Sequence, residues 1–124
     1  MRTPVFILAG LAASCAAPPA VYAPGPVSEL AGRVAGPAQR CVQIYPSNTL
    51  RLSETNQRTL VYGAGRTIWV NDLGSCGFRR DDIIVTEPLN SRHCNGDIVR
   101  SVDQLSHMPG PTCVLGDFVP YRLP

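Results

Sequence analysis

Apolar and polar residues alternate in short strand-like runs only from Arg40 onward. The clearest runs are Arg58–Tyr62 and Arg66–Val70, rich in β-branched and aromatic side chains and separated by Gly63-Ala64-Gly65. That pattern predicts a β-hairpin. Its glycine loop leads into a strand rather than a helix, which argues against a phosphate-cradling turn. Further strands are predicted at Cys41–Tyr45, Leu50–Ser53, Ile83–Thr86 and Ile98–Val102. The pair Asn95-Gly96 is a strong turn signal just before the last of these. No stretch holds a helical period long enough for an ordinary helix. The segment Met108–Thr112, with Pro109 and Pro111, is expected to open an irregular tail. The fold class is therefore mainly β: a small antiparallel sheet or partly open barrel of about five or six short strands. Its predicted core is Val42, Ile44, Leu60, Ile68, Trp69, Ile84, Val99 and Phe118.

Ahead of this domain the pattern changes twice. Residues 18–40 form a Pro/Ala/Gly-rich linker holding Pro18, Pro19, Pro24, Pro26 and Pro37, its first half expected to be extended and solvated. A short helical turn over Ser28–Val34, capped by Ser28, is the one regular element it suggests. The chain thus divides into a targeting region (1–17), a linker (18–40) and a β domain (41–124). A domain this small has little stability in reserve, so cross-links matter.

The targeting region has the order of a bacterial export signal. Arg2 supplies a positive charge, Val5 to Ala13 is uncharged and apolar, and small residues crowd around Ser14. The apolar run falls short of the ~20 residues of a spanning helix. Leu11-Ala12-Ala13-Ser14-Cys15 resembles a lipobox, the processing motif of bacterial lipoprotein precursors. It departs from that motif in having Ala12 where Leu is commonest. The resemblance implies that Cys15 becomes the first mature residue and carries a diacylglycerol. Cleavage after Ala16 by ordinary signal peptidase is the alternative, with an uncleaved anchor third.

Cysteine arithmetic fits either cut. The chain has five cysteines, and setting Cys15 aside leaves Cys41, Cys76, Cys94 and Cys113. Four cysteines allow three pairings. The favoured expectation is Cys41–Cys76 with Cys94–Cys113, which closes two separate loops, and the other two pairings stay open.

Charge changes the picture little. Basic residues number 11, all Arg, against 9 acidic ones. They are scattered, and the only adjacent pair, Arg79-Arg80, is followed by Asp81-Asp82. No concentrated basic face points to nucleic acid. His93, Cys94, His107 and Cys113 lack metal-ligand spacing, so no metal or other cofactor is expected. Cys94 with His107 is the one conceivable nucleophile and base, with no local signature to mark it. Asp81, Asp82, Asp97 and Asp117 are the carboxylates available for acid–base work, although Asp97 in Cys94-Asn95-Gly96-Asp97 suits a turn-capping role better. His93 and Asp97 remain as weak functional candidates, and no catalytic residue is assigned.

Five segments then carry a likeness: Arg40–Ile44, Arg58–Tyr62, Gly74–Asp81, Cys94–Val99 and Cys113–Tyr121. In their order, and in a Cys-x-Gly-Asp-like motif and a terminal Cys-x-Leu-Gly-x-Phe motif, the chain resembles a family of small exported proteobacterial proteins of unknown function. The resemblance implies an envelope protein with paired cysteines and no stated activity. The expectation is a lipid-anchored, non-enzymatic binding or structural module. It would be periplasmic and held at the outer membrane, since Ala16 rather than Asp follows the cysteine. Its partners would be the membrane, through the anchor, and an envelope protein or cell-wall component. The alternative is a small periplasmic enzyme or enzyme inhibitor using the His93–Asp97 region.

Overall fold

The computed structural model describes residues 25–124 together with Pro4 and Gly10. The export region, Cys15 and the first part of the linker lie outside the described residues. Ten strands follow one 3-10 turn at Ser28–Leu30. They are β1 (Val34–Ala35), β2 (Cys41–Gln43), β3 (Leu50–Leu52), β4 (Thr59–Tyr62), β5 (Thr67–Asp72), β6 (Ile83–Thr86), β7 (Arg92–Cys94), β8 (Ile98–Val102), β9 (Pro109–Val114) and β10 (Phe118–Arg122). They form three antiparallel sheets, ordered β1-β10-β5-β4-β3, β2-β7 and β6-β8-β9. The chain is mostly β, with no closed barrel among the described residues. No described helix is long and apolar enough to cross a membrane.

The predicted hairpin is β4–β5, with Tyr62 opposite Trp69 and Thr59 opposite Asp72. Gly63 turns it at φ 90°, and a Cβ there would sit 3.3 Å from the Trp69 ring. Only glycine suits both demands. Every residue of β4 is buried, with Leu60 and Tyr62 in the main core and Val61 on the opposite face. Of the predicted core, Val42, Leu60, Ile68, Val99 and Phe118 are buried, while Ile44, Trp69 and Ile84 are partly exposed. Phe78, Leu73 and Leu115 complete the core from loops, where no period marks them.

The tail expected to be irregular forms β9 and β10. Pro109 and Pro111 are tolerated in β9 because it is an edge strand of its sheet. Gly110 lies between them under Arg79 and Asp82, and a Cβ there would collide with the Ser101 hydroxyl. β10 pairs five residues with β5, Phe118 to Asn71 through Arg122 to Thr67.

From residue 25 the expected spacer is instead bonded to the domain. Asn56 and Thr55 donate to the Gly25 and Pro26 carbonyls. Glu29 accepts hydrogen bonds from the Ser53 hydroxyl and the Glu54 amide, both at 2.8 Å. Arg33 donates to the Gly65 and Arg66 carbonyls at 2.7 and 2.9 Å. These anchors lie before the start of β4 and after its end, so the strap runs the length of that strand. β1 then pairs with β10. Ser28 does not cap the turn through its side chain. Its hydroxyl contacts Glu29 instead.

The disulfides join Cys41 to Cys94 and Cys76 to Cys113. This corrects the expected Cys41–Cys76 and Cys94–Cys113 pairing. Nearness in sequence suggested two separate loops, but β2 pairs with β7 and sets Cys41 directly opposite Cys94. The two bridges therefore interleave. They span 53 and 37 residues, and each is worth about 4 kcal/mol by restriction of the unfolded chain. They are consistent with an exported protein.

Peptide mapping without reductant is expected to recover Cys41 joined to Cys94 and Cys76 joined to Cys113. Replacing Cys41 and Cys94 together by Ser should lower the unfolding free energy by about 4 kcal/mol in denaturant titration.

The strap has its own test. Burial works against the Glu29 charge, but hydrogen bonds from the Glu54 and Glu29 amides and the Ser53 and Ser28 hydroxyls outweigh it and lower its pKa. A carboxyl with a lowered folded pKa stabilises above the ordinary glutamate range and loses that effect as pH falls through the folded value. Glu29→Gln should cost about 1 kcal/mol near neutral pH and flatten the acid limb of stability against pH.

Candidate functional site

His93 and Asp97 stand on either side of the turn that joins β7 to β8. His93 lies opposite Val42 in the β2–β7 pair and is only 5 % exposed. Its ring meets the Tyr62 ring edge-on, with centroids 5.5 Å apart and planes at 78°. The Tyr62 hydroxyl donates to the Gln43 carbonyl at 2.9 Å and accepts from the Tyr45 amide at 3.0 Å. His93 is thus packed where two sheets meet. Burial lowers its pKa, opposed in part by the nearby Asp97 carboxylate, so the ring is neutral at neutral pH.

Asp97 closes the turn. Its carboxylate accepts the Cys94 amide at 2.9 Å, and its own amide donates to the Cys94 carbonyl at 3.0 Å. That is the turn-capping role its place after Asn95-Gly96 suggested. Gly96, at φ 93°, permits the bend. Leu115 ties the turn from across the chain: its amide donates to the Asp97 carbonyl, and its carbonyl accepts the Gly96 amide, both at 2.9 Å.

Outside this turn lies an open cleft of about 280 Å³, lined by Val85, Glu87, Leu89, Gly96, Asp97, Ile98 and Arg100. Strand alternation builds it. Val99 and Ser101 of β8 are buried, so Ile98 and Arg100 face solvent. The β6–β8 register sets Val85 opposite Arg100, and Glu87 continues the same face one step beyond β6. The β6–β7 loop brings Leu89 to the rim, then turns through Asn90 and Ser91, both with φ near +56° (57° and 55°). His93 lies on the inner side. With Glu87, Asp97 and Ile98 it borders a second, narrow recess, closed by Thr86, Pro88 and Leu115.

The sequence candidates are therefore only partly united. Asp97 reaches the cleft and His93 does not. Cys94 and Cys113 are held in disulfides. His107 sits in the β8–β9 loop at φ 58°, its amide bonded to the Asp103 carbonyl at 3.0 Å. No three metal-ligating side chains cluster among the described residues. The carboxylates are likewise dispersed. Asp82 pairs with Arg79 at 3.4 Å, and Asp117 accepts the Asn95 side-chain amide at 2.8 Å. Glu87, Leu89 and Arg100 escaped sequence reasoning. The alternation of Ile98-Val99-Arg100-Ser101 signalled an outward Arg100, but only the β6–β8 register sets it beside Val85 and Glu87.

Comparison with protein families, curated proteins and solved structures finds no match.

A buried neutral histidine makes stability depend on pH in a defined direction. With the folded pKa lowered, the unfolded chain takes up the proton first as pH falls, so His93 stabilises above its ordinary value and loses that contribution on acidification toward the lowered folded value. Thermal unfolding from pH 7.5 downward is expected to show a falling melting temperature that starts at about pH 6.5. His93→Phe, which keeps a ring against Tyr62, should remove most of that slope, whereas an unchanged slope would assign it elsewhere.

Proposed function

We propose that this chain is an exported envelope protein, anchored through a lipid on Cys15, whose β domain serves as a non-enzymatic binding module. The observation that carries the module reading is the cleft beside the β7–β8 turn. It is bordered by a disulfide-linked, hydrogen-bonded turn, and it presents charged side chains beside apolar ones. Oxidation of all four domain cysteines supports it further, because a thiolate nucleophile would need one of them free. The resemblance to lipoprotein precursors and to the exported family supports the anchor and the outer-membrane location.

The alternative is an enzyme or inhibitor built on His93 and Asp97. What favours it is the nearness of His93 to the Asp97 carboxylate. What weighs against it is that His93 is buried and does not line the cleft.

Intact mass of the protein from membrane and soluble fractions tests both parts. The expected product starts at Cys15 with added diacylglycerol, sits in the membrane fraction and has no free thiol. A soluble product starting at Ala17 would overturn the anchor. A reactive Cys94 thiol would overturn the binding-module reading in favour of the enzyme.

A further inference from the structure

Resting on that binding-module reading, we propose that the cleft between β6 and β8 recognises a short peptide by both of its free ends. Its amino group would lie at Glu87 and Asp97, its carboxylate at Arg100, and its apolar side chain on Val85 and Ile98.

The sheet register sets out the chemistry. Antiparallel pairing puts Val85 opposite Arg100 and Thr86 opposite Val99. On the solvent face this leaves Glu87 next to Ile98 and diagonal to Arg100. Apolar and charged side chains therefore alternate in both directions across the cleft floor. Opposite charges so placed commonly pair, yet the one ion pair among the described residues is Arg79–Asp82. Glu87 and Arg100 share the cleft without a salt bridge between them. Asp97 is fixed at the rim by the Cys94 amide.

Ligand charge then decides between classes. A simple anion would meet Arg100 but be repelled by two carboxylates, and a simple cation would meet the reverse. A wholly apolar ligand would bury charges with no partner, which is costly. A zwitterion with an apolar body satisfies all three groups. The cleft, at about 280 Å³, lies at the small end of ligand sites, so the ligand is of dipeptide size. The turn is already bonded in place, and Cys94 is fixed to Cys41, so little order has to be created on binding.

The test is titration of the isotope-labelled mature protein, followed by NMR, with three probes: alanyl-leucine, its N-acetyl derivative and its C-terminal amide. Alanyl-leucine is expected to shift the amides of Gly96, Asp97, Ile98 and Arg100 at millimolar concentration. Blocking either end should weaken binding about tenfold, the size of one lost charge-assisted contact. Arg100→Gln should make the dipeptide and its amide equivalent, and Glu87→Gln should narrow the gap between the dipeptide and its N-acetyl form. Neither side chain carries a structural ion pair, and unchanged spectra away from the cleft would show the fold intact. Equal binding of blocked and free peptides would overturn the ligand class while leaving a binding module. Loss on blocking one end only, or no shift in the cleft with any probe, would overturn the proposal. Cleavage of the dipeptide in the same tube would instead overturn the non-enzymatic reading.

Discussion

The β2–β7 pair, closed by Cys41–Cys94, is the constraint on which the rest of the structure depends. A two-stranded ladder of three residues a side has almost no independent stability. This one joins the start of the domain to its middle, 53 residues apart. The second bridge crosses it, tying the loop after β5 to the edge strand β9. Interleaving means that neither loop can open as a separate unit while both bridges hold. Three small sheets, none large enough to enclose a core alone, are thereby held around one apolar cluster.

Tyr62 shows how the sheets are joined in detail. It belongs to the five-stranded sheet, and its ring lies 6.0 Å from Trp69 and 5.5 Å from His93. Its hydroxyl is bonded at Gln43 and Tyr45, at the end of β2. The largest fully buried side chain among the described residues thus also satisfies the polar groups where the chain leaves the two-stranded ladder. His93 fills the facing position. A buried imidazole with a lowered pKa is often a mark of chemistry, but this one is explained by packing: burial lowers it, and the carboxylate that opposes the shift is occupied in a turn.

How much of this was legible in the sequence depends on the range of the interaction. The β4–β5 hairpin, β8 and the Asn95–Asp97 turn are local patterns, and they were readable because the residues that determine them are adjacent. The strap and β9 were not. Proline and glycine in those segments argue against regular structure, but an edge strand tolerates missing amides, and Gly110 is required by what packs over it rather than by its own backbone. The strap is held by Glu29 and Arg33, whose partners lie 24 to 33 residues away. The disulfide pairing failed for the same reason: loop length favours near neighbours, whereas the β2–β7 register, invisible in any local window, decides it. The cleft was half legible, because Asp97 declares itself through its turn while Glu87 and Arg100 meet only across a sheet.

The division of labour between the sheets follows from that arrangement. The five-stranded sheet supplies six of the twelve buried hydrophobic residues among those described, and the two-stranded ladder carries one of the interleaving bridges. The β6-β8-β9 sheet turns only one face to the core, through Val99, Ser101 and Cys113. Its other face exposes Ile83, Ile98 and Val114, and its loops expose Leu89, Leu105 and Met108. Packing does not account for them, and the charged side chains among them, Glu87 and Arg100, make no ion pair with each other or with a neighbour. A face whose residues contribute little to holding the fold is one whose composition is free to vary. The stability that lets it do so comes from the bridges and the core behind it.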